Sequence, residues 1–161
     1  MSLIHHEHDE APSGEVKIIS ARSSRRASSL FNYGNIIVTT LAGIPLMLVS
    51  GTAGKGLIFA TVIAVIPLVL WFGGSMLLYA LNRHHPNPKV GHYTQWAAYR
   101  YYGVVGSLVV IGTFFPSEIL YYRIFWVFAF LIIVPWSILD LIRIQRDEWR
   151  DISYVSGHHG A

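Results

Sequence analysis

The run Gly56–Leu81 carries no charged residue over 26 consecutive positions. As a helix it is about 39 Å long, against a hydrocarbon core of roughly 30 Å. A helix that is apolar all round has no wet face to turn outward. A small soluble domain rarely buries one, whereas a bilayer accepts it readily. The run is therefore a predicted membrane span, and the other segments are read around it.

The chain has 161 residues, which suits a single domain, and only 13% of them are charged. Soluble domains carry about 25%. The absence of cysteine excludes disulfides, thiolate metal sites, iron–sulfur clusters and c-type haem attachment. The expected fold class is all-α: a polytopic membrane protein with four transmembrane helices at about 35–53, 56–81, 98–116 and 119–142.

Residues 1–29 are polar and end in the basic, serine-rich run Arg22 to Ser29. Such a segment has too little apolar surface to fold alone and is expected to be a flexible tail. The first span, Asn35–Ala53, contains Pro45, and the second contains Pro67. Each proline predicts a kink whose freed carbonyl needs another donor. Gly73, Gly74, Gly103, Gly106 and Gly112 are expected to mark surfaces of close helix packing.

Residues 82–97 form the one sizeable internal polar loop, in which Pro86 and Pro88 predict irregular backbone. From Tyr93 the loop can turn helical. Tyr93, Trp96, Tyr99 and Tyr102 then recur every three residues, as an aromatic belt at headgroup depth does. Pro116-Ser117-Glu118 reads as a helix start, with Ser117 as N-cap. Residues 146–161 form a second polar tail.

Topology follows from the cations. Lys17, Arg22, Arg25 and Arg26 lie in the first tail, Arg83, Lys89 and Arg100 in or beside the central loop, and Arg143, Arg146 and Arg150 after the last span. The two short turns hold Lys55 and Arg123. The positive-inside rule then predicts cytoplasmic termini and a cytoplasmic central loop. The expected location is a bacterial inner (plasma) membrane, with the first span as an uncleaved anchor.

All eight histidines, His5, His6, His8, His84, His85, His92, His158 and His159, fall outside the spans. No axial pair is left for a haem between helices, and no ligand spacing points to a metal site. Gly54-Lys55-Gly56 lacks the earlier glycine and the following hydroxyl of a phosphate-binding loop. No nucleophile–base pair, catalytic residue or cofactor is expected, and no nucleic-acid partner. Arg83, His84, His85, His92, Trp96 and Arg100 form a candidate pocket for a lipid or small-molecule headgroup at the cytoplasmic surface. Arg100 and Asp140 stand at adjacent ends of spans three and four and are expected to form a structural ion pair.

The functional class that fits this set is a non-catalytic accessory or structural subunit of a larger integral membrane complex, of respiratory, oxidase or polymer-synthesising type. Its expected partners are membrane lipid and other integral membrane subunits. The alternatives are a small oligomeric transporter or channel, a membrane enzyme acting on lipid or quinone through the central loop, and a metal or lipid sensor.

Overall fold

The computed structural model describes residues 15–48, 55–114 and 119–156. Four helices, α1 (Ala21–Leu48), α2 (Lys55–Arg83), α3 (Pro88–Phe114) and α4 (Ile119–Arg146), stand between two short strands, β1 (Glu15–Ile19) and β2 (Ile152–Ser156). The strands pair antiparallel, Glu15 against Ser156 through Ile19 against Ile152. Residues 15–29 are thus a strand and the first turns of a helix, where a flexible tail was expected. The second tail likewise holds a strand. β-Branched and aromatic residues (Val16, Ile18, Ile19, Ile152, Tyr154, Val155) suit both strands. The expected start signal at residues 116–118, the glycine-rich turn before α2 and the terminal histidines lie outside the described residues.

Among the described residues, three helices are long and apolar enough to cross a membrane: α1, α2 from Val62 onward, and α4. Only 11% of the most apolar stretch of α2 is buried within the protein. That helix therefore keeps its apolar surface outward. The expected fourth span is not matched by α3 on the same grounds. Its first half carries Lys89, His92, Gln95 and Arg100, and only its second half is continuously apolar.

The central polar loop shrinks to the turn at residues 84–87. Pro88 opens α3 at the first helical position, where its missing N–H would have had no partner in any case. Asn87 caps the helix, accepting from the Lys89 backbone N–H at 3.0 Å. The proline expected to prevent a helix here instead begins one.

α1 packs against all three other helices. Its buried face carries a polar row, Ser24, Ser28, Asn32, Asn35 and Thr39 at helical spacing, beside the apolar Phe31, Val38 and Ala42. Two of its glycines admit tryptophans. The Trp71 ring occupies the space a Gly34 side chain would need, and the Trp126 indole does the same at Gly43. From there Trp71 Nε1 donates to Asn35 Oδ1 at 3.0 Å, and Trp126 Nε1 donates to the Thr39 carbonyl at 2.8 Å. Asn35 Nδ2 in turn donates to the Ala97 carbonyl of α3 at 3.3 Å. Close packing inside the chain thus falls on Gly34 and Gly43. A Cβ at Gly73, Gly74, Gly103 or Gly106 would meet nothing within 4 Å, so the packing expected there does not occur within this chain. Phe31, Ala97, Ala98, Tyr101 and Ile133 make the buried apolar cluster.

Polar contacts gather the start of α1, the segment between α4 and β2, and the α2–α3 turn at one end of the bundle. The Ala21 backbone N–H donates to Asp151 Oδ1 at 2.7 Å, so a residue beside β2 caps α1. Lys89 Nζ donates to the Glu148 carbonyl at 3.0 Å and lies 3.5 Å from Asp147. Asn82 Nδ2 reaches the Ala27 carbonyl at 3.1 Å. Toward the opposite end all four helices surround an apolar cavity of about 580 Å³, lined by residues such as Ala42, Val62, Leu108 and Phe125. There Arg123 Nε donates to the Leu46 carbonyl at 2.9 Å, placing a cation at the C-terminus of α1.

Candidate functional site

A groove of about 520 Å³ lies between α3 and α4 toward the ribbon end. His92, Tyr93, Trp96 and Arg100 line it from α3; Ile132, Trp136, Asp140 and Arg143 line it from α4. The spacing within each set is that of one helix face, because residues three and four apart share a side. The helices are antiparallel neighbours, so the polar start of α3 (His92, Tyr93) meets the polar end of α4 (Asp140, Arg143). Trp96, Trp136 and Ile132 continue the groove along the apolar length.

The charges are held tightly. Arg100 Nη2 donates to Asp140 Oδ2 across the two helices. Arg143 Nη1 donates to Asp140 Oδ1 at 3.3 Å. The Asp140 side chain is only 5% exposed, so its charge depends on these partners. The Arg100 Nε–H is buried without an acceptor among the described residues. Two guanidinium groups on one carboxylate leave one positive charge in excess.

Nearby, Tyr93 donates to Asp147 Oδ2 at 2.8 Å. Burial, followed by that hydrogen bond and the Asp147 charge, pushes the Tyr93 phenol up to about 12. It therefore remains a donor at neutral pH. Asp147 is also engaged by Lys89, so it does not offset the excess positive charge in the groove.

Of the residues grouped from sequence, His92, Trp96 and Arg100 come together in this groove. Arg83, His84 and His85 do not line it. Arg83 lies over the Tyr79 ring, 6.0 Å from its centre. His84 is exposed. His85 Nδ1 accepts from the Asn87 backbone N–H at 3.0 Å, and burial lowers its pKa from the usual 6.5. Sequence reasoning left out Trp136 and Arg143. The signal that could have found them is the register Ile132, Trp136, Asp140 and Arg143 on one face of α4.

The buried face of α1 was also not foreseen. Its Asn32 amide has neither donor nor acceptor partner among the described residues, and the Ser24 and Ser137 hydroxyls are likewise unpartnered. Ser24, Ser28, Asn32, Asn35 and Thr39 at helical spacing were the visible sign. Among the described residues, no three histidine, aspartate or glutamate side chains gather as metal ligands.

No family model, curated protein or solved structure matches this chain.

Proposed function

We propose that this chain is an integral membrane protein serving as a non-catalytic structural subunit of a larger membrane complex. In this reading α3 joins α1, α2 and α4 as the fourth crossing. The ribbon, the α2–α3 turn and both chain ends then face the cytoplasm. Two observations favour that arrangement: the ribbon and the turn share one end of the bundle, and most of the described cations lie toward that end, with Lys55 and Arg123 toward the other.

The observation that carries the subunit role is the unfilled glycine surface. Gly73 and Gly74 on α2, with Gly103 and Gly106 on α3, have open space where a side chain would stand. Large apolar residues beside them, such as Leu70, Leu77 and Val109, point outward. Lipid tails are as apolar as leucine, so small-residue faces favour association by letting another backbone approach closely.

The test is a native gel of the gently solubilised full chain, with mass spectrometry of its companions. Defined companions are expected, and they should be lost in the Gly73→Leu/Gly74→Leu variant while its own thermal unfolding is unchanged. A chain that migrates alone from fresh membranes would remove the subunit reading.

A further inference from the structure

We infer that the α3–α4 groove is a binding site for the headgroup of an anionic phospholipid. The inference rests on the membrane reading above and assigns a ligand to a site that reading leaves empty of function.

Charge selects the sign of the ligand. Both Asp140 oxygens are already engaged, Oδ2 by Arg100 and Oδ1 by Arg143. A cationic headgroup would find no uncommitted carboxylate and two guanidinium groups opposing it. An anion meets the reverse. Each guanidinium carries five N–H donors, and each spends one on Asp140. The Arg143 side chain is 60% exposed and free to turn its fork toward a phosphate.

Shape selects a lipid over a dissolved anion. Trp96 and Trp136 stand on opposite walls, about half exposed, with Ile132 beside them. Their face runs on into the exposed Tyr99 and Leu139. Indoles with one wet edge and an apolar body are suited to the depth where headgroup meets acyl chain. A free phosphate would use the arginines and leave this apolar wall in water. A diacyl phosphate covers both.

The experiment uses the full chain, purified in mild detergent and stripped of lipid, with thermal unfolding followed as phosphatidylglycerol is titrated in. Phosphatidylcholine and inorganic phosphate are titrated separately. Phosphatidylglycerol is expected to bind at least about tenfold more tightly than phosphatidylcholine, and inorganic phosphate should not displace it. Arg143→Gln should weaken phosphatidylglycerol about tenfold, the scale of one charge-assisted contact. Trp136→Ala should weaken it too.

Arg146→Gln removes an exposed charge at the same end but outside the groove, and should change nothing. Equal binding of the two lipids overturns the inference, as does an equal loss in Arg146→Gln. Full displacement by inorganic phosphate would make this a free-anion site and overturn the lipid assignment. Release of the chain from membranes by alkaline carbonate would instead overturn the membrane reading, so the two failures are told apart.

Discussion

Arg100 on α3 and Asp140 on α4, 40 positions apart in sequence, meet as a hydrogen-bonded ion pair whose side chains are 18% and 5% exposed. The pair fixes the register of two helices that otherwise make few contacts. Removing one member of a buried pair strands the other charge, at a cost of roughly 3–5 kcal/mol. Asp140→Ala should therefore lower the thermal unfolding temperature strongly. Arg100→Ala should cost less, because Arg143 still covers the carboxylate. The double variant should sit close to Asp140→Ala alone; strictly additive losses would show that the two residues act apart.

The glycines should separate into two groups. At Gly34 and Gly43 a methyl group would collide with the rings of Trp71 and Trp126. Each Gly→Ala change there should destabilise by about 1–3 kcal/mol, the usual cost of overpacking. Indole fluorescence should shift as the ring is displaced. At Gly73 and Gly103 there is open space. Alanine at those positions should hold or raise monomer stability by up to about 1 kcal/mol through helix propensity. Unfolding of all four variants in the same detergent decides between a packing role and a free surface.

Asp151 caps a helix that begins 130 residues earlier. Asp151→Ala should cost about 1 kcal/mol, as loss of a cap does, while Asp151→Asn should retain most of it. Ser20 supplies a second, local cap by accepting from the Ser23 N–H at 3.2 Å, so α1 should fray rather than melt. Amide hydrogen exchange should rise at residues 21–24 and in the β1–β2 pairing, and stay unchanged in α2. Uniform protection in the alanine variant would argue that the contact contributes nothing.

His85 supplies a pH dependence of known sign. Burial holds its folded pKa below the unfolded value of 6.5. The unfolded chain therefore takes up the proton first. The contribution is complete above about pH 6.5 and is lost as pH falls toward the folded pKa. Wild type and His85→Asn should thus respond alike from about pH 8 to pH 7 and diverge below about pH 6.5, the wild type losing more. Because His85 is partly exposed, the divergence should be small. Parallel curves throughout would mean that the ring titrates freely.

The sequence was most legible where a property belongs to a continuous stretch. The 26-residue uncharged run needs no partner to be recognised, because hydrocarbon transfer sums along the chain. Arg100 and Asp140 were expected to meet at the ends of two apolar runs; they do pair, but Arg100 stands near the middle of α3, because that helix already begins at Pro88. Pro88 was misread because a proline's effect depends on its place: inside a helix it breaks one, and at the first position it starts one.

Other features were hidden because they depend on which helices become neighbours. Gly73 and Gly34 look alike in sequence, yet only Gly34 receives an indole, since α1 lies innermost and Trp71 faces it. Arg83, His84 and His85 are close to His92 along the chain, but the short turn sends them away from the groove. Arg143 and Trp136 are distant in sequence and belong to it.

What this sequence determined alone is the solvent each segment requires: apolar lengths that demand cover, and basic ends that stay wet. That holds because burial free energy is a property of composition over one or two turns of chain. Only the tertiary structure decided which faces are spent inside, which glycines stay open, and which cations converge. Those outcomes follow from pairings between residues tens of positions apart, such as Asn35 with Trp71, Asp151 with Ala21, and β1 with β2. Local propensity carries no information about them, because no single segment contains both partners.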